Sequence, residues 1–282
     1  MTKPQLIEGL AFSKYQAIDA EHSGVLRRIL TSPLAYRRSK DLETAGVDKD
    51  RDCLRLGRAV HTAVLEPHLF PKLYTCWSGG RRAGHAWDDF ESSATASGVT
   101  ILKEDQIDLA VKVSKAARSE PAAAPILNAT GRAEVVIVWR HPRTGVDIKV
   151  RIDWLTADTL VDLKTCRDPA PHRFATTAAQ LGYHFQLALY ADAAAAVGLG
   201  SLAVKIVAAQ STEPHDVVVY SLDEDVLFRG RDEYERALDQ LVECRQSDKW
   251  PGQAGGKEMA LKLPAWCAPA DEELTYEGEV MP

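Results

Sequence analysis

Apolar positions in the first 120 residues recur at helical spacing. In His22–Ser39 the stripe Val25, Leu26, Ile29 and Leu30 predicts a short helix and turn, with Ser23 as its cap and Ser32-Pro33 as its stop. Leu54–Leu65 predicts a second helix, ended by Glu66-Pro67, and Lys103–Ser119 a third, broken by PAAAP at 121–125. Residues 78–100 are rich in Gly, Ser, Ala and Arg and read as a long loop or a poorly ordered segment. The period changes after residue 130. Ala133–Trp139 is a valine-rich strand and HPRTG at 141–145 a turn. Val146–Leu155 and Thr159–Lys164 alternate as strands around the short connection Thr156-Ala157-Asp158. Thr176–Val197 predicts a long helix ended by Gly198, and Leu202–Gln210 and Asp216–Ser221 two more strands. Asp223–Arg245 predicts a second long helix capped by Asp223, and the Pro- and Gly-containing stretch beyond Trp250 an extended tail. No repeat of 20–50 residues is evident. Mixed strands followed by helices predict an α/β or α+β fold, with a helical N-terminal part covering the sheet.

Composition adds little to that picture, and charge adds more. With 282 residues, 45% hydrophobic and 26% charged, the chain is ordinary globular protein. That excludes a disordered chain, a collagen-like chain and a coiled-coil rod. The net charge of −6 argues at first against a nucleic-acid partner. Its distribution reverses the argument. Residues 27–58 hold nine Lys/Arg against five acids, and residues 271–282 hold five acids and no Lys or Arg. Residues 1–270 carry 34 basic against 35 acidic residues, a balance of −1. The five cysteines form no C-x-x-C pair, so a zinc ribbon or iron–sulfur cluster has no support, and scattered thiols suit a reducing cytosol. With no apolar signal-peptide core and no run of 18 apolar residues, the expectation is a cytoplasmic protein with no membrane association.

The stretch RIDWLTADTLVDLKT at 151–165 carries the chemistry. Asp153 lies near the end of one strand, and Asp162 and Lys164 lie two apart on the next, so they share a face. The short connection makes the strands antiparallel neighbours and can bring Asp153 close to Asp162. Two carboxylates repel unless a cation sits between them, and hard oxygen ligands suit Mg²⁺ or Mn²⁺. A lysine beside the metal can orient or deprotonate an attacking water. D-x-K alone is equally a surface ion pair on a hairpin. Val161 and Leu163 around the charges favour an internal strand. GRAVH at 57–61 is a G-x-x-x-H pattern on a predicted helix, and also what a packing glycine and a core histidine produce. Gln186 and Tyr190 in QLALY share a helix face, as an amide and a phenol at a helix boundary also do.

Asp153, Asp162-x-Lys164 and Gln186-x-x-x-Tyr190, preceded by Gly57-x-x-x-His61, resemble the PD-(D/E)xK nuclease superfamily, and the histidine and Gln/Tyr helix its RecB-like branch. More closely, the chain resembles the family of the RecE (exonuclease VIII) C-terminal nuclease domain. The shared segments are HSGVLRRILTSPLAYR (22–37), LGRAVHTAVLEP (56–67), GRAEVVIVWRHPRTGVDIKVRIDWL (131–155) and WPGQAGG…LPAW (250–266), in the family's order over about residues 20–267. The resemblance implies a restriction-endonuclease-like α/β core, a central mixed β-sheet flanked by helices. It implies one domain over 1–282: a helical part at 1–130, a catalytic core at 131–250 and a tail at 251–282. Asp153 and Asp162 are implied as ligands of Mg²⁺, with Mn²⁺ as substitute, helped by the Leu163 carbonyl and by His61. Glu134 is implied as an outer ligand, although a strand glutamate is equally a surface residue. Lys164 is implied to position or activate water, and Gln186 and Tyr190 to brace the site or contact DNA. The middle residue is Asp162 where the superfamily name also allows Glu, a permitted variant.

The implied activity is a 5′→3′ exonuclease on linear double-stranded DNA that leaves 3′ overhangs for phage-type recombination. The implied partners are DNA ends and a RecT-like annealing protein. The implied assembly is a homo-oligomeric ring, as in a tetramer, and the implied source a bacterial phage or prophage. The chain has no P-loop, so no ATP requirement is expected. Phosphate contacts are expected from Arg27, Arg28, Arg37, Arg38 and Arg58, and from Arg81 and Arg82 beside Trp87. The competing readings are an endonuclease on the same fold, a non-catalytic DNA-end-binding accessory protein and a phage structural protein.

Overall fold

The computed structural model describes residues 3–44 and 52–264. The chain begins with strand β1 (Gln5–Ile7) and the short helices α1 (Phe12–Gln16), α2 (Ser23–Leu26) and α3 (Arg28–Thr31), then α4 (Pro33–Thr44) and α5 (Asp52–Leu65). Next come α6 (Phe70–Leu73), β2 (Tyr74–Cys76), α7 (His85–Ala96), β3 (Thr100–Leu102), α8 (Glu104–Ser119) and α9 (Ala124–Leu127). The remainder is β4 (Arg132–Arg140), β5 (Asp147–Leu155), β6 (Thr159–Cys166), α10 (Pro171–Leu181), α11 (Tyr183–Ala196), β7 (Ala203–Gln210), β8 (Val217–Leu222) and α12 (Glu224–Ser247). Six strands form one mixed sheet in the order β1-β4-β5-β6-β7-β8. Within this sheet β6 and β7 are the parallel pair, joined by α10 and α11, and β2 and β3 pair in parallel as a separate two-stranded sheet. This is the α/β architecture that the strand and helix patterns predict.

Helices cover both faces, and strand alternation decides which side chains meet them. On one face Val135, Ile137, Ile152, Leu160 and Ile206 pack against Leu26 and Ile29 of α2 and α3, Phe185 and Leu189 of α11, and Leu238 of α12. On the other, Val161, Leu163, Val207 and Ala209 pack against Val60 and Val64 of α5 and Val113 of α8. β6 therefore lies inside the sheet with both faces covered, as its apolar neighbours Val161 and Leu163 predict.

Ser32-Pro33 ends α3 at Thr31 as predicted and also starts α4, and three other local expectations are corrected. Pro33 tolerates the first helical position because its missing N–H needs no partner there. Ser32 Oγ accepts the Ala35 N–H at 3.1 Å. Ser23 makes no capping hydrogen bond. Residues 78–100 are not one loop, because Trp87, Phe90 and Ala94 form a helical stripe on α7, and Trp77 packs on Trp87 and Phe90 with centroids at 5.7 and 5.1 Å. Thr176–Val197 is two helices, split at Gly182, whose φ is +72°. A Cβ at Gly182 meets Arg27 Nε at 2.3 Å, and the Arg27 guanidinium donates to the carbonyls of Gln180 and Ala179 at the end of α10. Asp223 caps α12 as predicted, accepting the Val226 N–H at 2.9 Å. Among the described residues no helix is long and apolar enough to cross a membrane. Lys49 and Arg51 of the basic stretch, and the acidic residues 271–282, lie outside the described residues.

Candidate active site

The site sits at a fork in the sheet. β5 and β6 pair only at Trp154↔Val161 and Leu155↔Leu160, next to their connection. The residues just past the last pair are Asp153 and Asp162. There the strands part, and the freed Leu163 N–H donates to Asp153 Oδ2 at 2.7 Å. Alternation also slips at this level. Ile152 packs on the α11 side and Trp154 on the α5 side, and across the ladder Val135 packs on the α11 side and Ala133 on the α5 side. The skipped residues are Asp153 and Glu134, and Glu134 has φ +53° inside a strand. A left-handed non-glycine residue costs about 1–3 kcal/mol and persists only where its surroundings impose it. The slip turns both acids toward one space.

Helices reach that space from both faces. From α5, His61 Nδ1 approaches Asp153 Oδ2 to 3.6 Å. Ligand atoms of His61, Glu134 and Asp153 lie within 4.8 Å of one another. From α11, Gln186 Nε2 donates to Asp162 Oδ1 at 3.1 Å and to the Tyr190 hydroxyl at 3.0 Å, while its Oε1 accepts from Lys164 Nζ at 3.2 Å. Lys164 Nζ lies 2.7 Å from Asp162 Oδ2 and 4.7 Å from the centre of the Tyr183 ring. Asp153, Asp162, Lys164, His61, Glu134, Gln186, Tyr190 and the Leu163 backbone thus meet at the fork.

The electrostatics are those of crowded carboxylates. Burial, then the Asp153 charge, pushes Glu134 up to about 8, although Arg151 Nε lies 2.7 Å from its Oε2. Burial pushes Asp162 up to about 6 and raises Asp153 as well. Asp162 is only 1% exposed, and its Oδ2 makes no well-formed hydrogen bond. Burial, then Lys164, lowers His61 to about 4, so the imidazole is neutral and able to ligate. Burial opposes the charge on Lys164, but the Asp162 and Asp153 carboxylates outweigh it and raise its pKa. A lowered lysine, as needed for a general base, is not what this site sets up. The donor set of Glu134 and Asp153 carboxylate oxygens and one imidazole fits a hard divalent cation, which offsets the repulsion directly.

Three contributors were not singled out in the sequence. Arg151 holds Glu134 and lies over the Phe12 ring at 5.0 Å, Glu66 adds a further negative charge near Glu134, and Tyr183 backs Lys164. Their roles arise from the slipped strands and the break at Gly182, neither of which leaves a spacing motif. The predicted arginines divide. Arg27 ties α10 to α2, Arg28 hydrogen-bonds Ser39, and Arg37 pairs with Asp41 and lies over Trp250. Arg27 and Arg28 line, with Gln186, a cavity of about 310 Å³. Arg38 and Arg81 are exposed, and Arg58 is half-buried on α5. Arg82 donates to the Leu102 carbonyl and lies over Trp87.

Comparison with known proteins agrees with this geometry. A crystal structure from Eubacterium rectale, described as a "putative exonuclease", superposes with a TM-score of 0.60 over 92% of this chain and 96% of its own, at 14% identity. That likeness concerns the fold. The structure of SSO0001, at a TM-score of 0.27 and 14% identity over 64% of this chain and 86% of its own, adds no argument. No curated protein matches the chain. The family model described as a PDDEXK-like domain of unknown function matches residues 25–262, the span that contains every residue at the fork. The chain therefore belongs to the PDDEXK-like DUF3799 family.

Proposed function

We propose that the protein is a metal-dependent DNA nuclease that acts as a RecE-like exonuclease on linear double-stranded DNA. The observation that carries this reading is the fork itself. One sheet opening gathers three carboxylates, a neutral imidazole and a lysine braced by Gln186. Family membership supports the same chemistry.

His61, Glu134 and Asp153 would hold the cation, and Asp162 stands beside them at the fork, paired with Lys164. A divalent ion bound there supplies charge neutralisation for the phosphate and lowers the pKa of a bound water. The protein's own groups do the positioning. Lys164, an ammonium in this environment, donates to the attacking water or to a phosphate oxygen. Gln186 fixes it by accepting from Nζ and donating to Asp162, so the pair keeps one geometry. Tyr190, buried and held protonated far above its usual range, fixes the Gln186 amide in turn. A water oxygen forms the new bond to phosphorus. The P–O3′ bond breaks with its electron pair going to the 3′ oxygen, which takes up the proton the water loses.

The finer reading is 5′→3′ polarity, 3′ overhangs, hand-over to a RecT-like annealing protein and assembly as a homo-oligomeric ring. It rests on the resemblance of residues 20–267. Exposed Arg28, Arg38 and Arg81 supply phosphate contacts in this reading. Digestion of linear and covalently closed circular duplex in Mg²⁺ separates the activities. Degradation of the linear form alone is the expected result, and linearised circles indicate an endonuclease instead.

A further inference from the structure

Beyond Lys164, β6 runs on through Thr165 and Cys166, and a second cavity opens there. Its volume is about 620 Å³, within the range of about 300–1,000 Å³ that small-molecule sites occupy. Thr165, Arg167, Arg173, Thr177, Tyr183 and Thr212 line it. Tyr183 belongs to both places, since its ring backs Lys164 Nζ at 4.7 Å and also forms a wall of the cavity. A ligand against Tyr183 is therefore one side chain away from the reacting centre. The Tyr183 hydroxyl makes no hydrogen bond among the described residues.

The chemistry of the walls selects the ligand. Arg167 is exposed and makes no ion pair among the described residues. Arg173 is 76% exposed and only loosely held, with Nη1 at 3.3 Å from Asp168 Oδ2. Asp168 is the one acid in the wall, and its Oδ1 accepts the Ala170 N–H at 2.9 Å. Two guanidiniums in forked geometry match a phosphate. The Thr165 and Thr212 hydroxyls match sugar and base edges, the Thr177 hydroxyl, which donates to the Arg173 carbonyl, can still accept, and a tyrosine ring offers a surface for a base. A bare anion leaves most of the space unfilled, and Leu181 and the Tyr183 ring give it an apolar wall as well.

We propose that this cavity holds the nucleotide released from the cleaved strand, a deoxynucleoside 5′-monophosphate. The proposal rests on the nuclease reading and deepens it. With P–O3′ cleavage, a nucleotide leaving a phosphorylated 5′ end keeps its phosphate, and one leaving a 3′ end carries a new one. The ligand is the same for either polarity. The cavity then accounts for the position of Tyr183, which touches Lys164 on one side and the departing nucleotide on the other.

The test is calorimetric titration of dGMP and dTMP into the full chain, in EDTA and in Mg²⁺, beside steady-state hydrolysis of linear duplex. Wild type and the double variant Arg167→Ala/Arg173→Ala are compared. Wild type is expected to bind mononucleotide, and mononucleotide to inhibit hydrolysis. In the double variant both Kd and Ki rise by about tenfold or more, the loss expected for charge-assisted contacts. Its melting temperature stays at the wild-type value, because both side chains lie at the surface. A wild type that hydrolyses duplex but neither binds nor is inhibited by mononucleotide overturns the cavity assignment and leaves the nuclease reading standing. A double variant with wild-type Kd overturns it equally. A wild type that fails to hydrolyse duplex overturns the nuclease reading, and with it the identity of the ligand as product.

Discussion

Filling the carboxylate cluster with a divalent cation at pH 7 is expected to expel about one proton. Glu134 is pushed up to about 8, so about 0.9 of it is protonated at pH 7 in the metal-free protein, and Asp162 at about 6 adds about 0.1. A cation coordinated by His61, Glu134 and Asp153 requires Glu134 as carboxylate, so its proton must leave. His61, lowered to about 4, contributes almost none. Titrating Mn²⁺ in two buffers of different protonation enthalpy gives the proton count directly. Glu134→Gln removes most of it, to about 0.1. A stability measurement reads the same residue. Because its folded pKa lies above the unfolded one, the metal-free fold disfavours the charged form. Stability is full below the unfolded value near 4.5 and is lost as pH rises through about 8. The shift corresponds to about 5 kcal/mol between the two limits, and Glu134→Gln flattens the profile over that window. Binding of Mn²⁺ without proton release by wild type, or with equal release by Glu134→Gln, refutes the assignment of Glu134 to the cation site.

Other consequences follow from single residues. Gly182→Ala forces a Cβ against Arg27 and strains a φ of +72°, so urea unfolding is expected to show a loss of at least about 1 kcal/mol. Gln186, four residues on, moves with the helix start, and hydrolysis should fall as well. Phe185→Ala empties a fully buried site between the sheet and α12 and is expected to cost about 3–5 kcal/mol by the same assay. Gln186→Leu removes the bridge between Lys164 and Asp162 without changing the charge count, and should lower kcat more than it raises KM.

How much of this was legible in the sequence depends on whether the cause was local. β6 was readable because Val161 and Leu163 alternate with Asp162 and Lys164 on a strand covered on both faces. The pairing of Gln186 with Tyr190 was readable because residues four apart share a helix face. The break at Gly182 was not, since TTAAQLGYHFQLALY keeps helical composition across it, and the need for glycine comes from the approach of Arg27, 155 positions earlier. α7 was hidden by its Ser and Ala content and by the glycines that flank it, although Trp87, Phe90 and Ala94 carry a helical period. At the site, Asp153, Asp162 and Lys164 announced themselves by spacing. Arg151 did not, because its partnership with Glu134 depends on a slip shared by two strands that no spacing rule describes.

The central claim is that the fork formed by β5 and β6 is a metal-dependent phosphodiester-cleaving centre run by Lys164 and Asp162. The most direct test is digestion of end-labelled linear duplex by wild type and by Lys164→Ala, each with Mg²⁺ and with EDTA, with far-UV circular dichroism to confirm the fold. Progressive shortening of label by wild type in Mg²⁺ alone, with at least about a hundredfold loss in folded Lys164→Ala, is the predicted result. Degradation by Lys164→Ala at the wild-type rate, or by wild type in EDTA, contradicts the account.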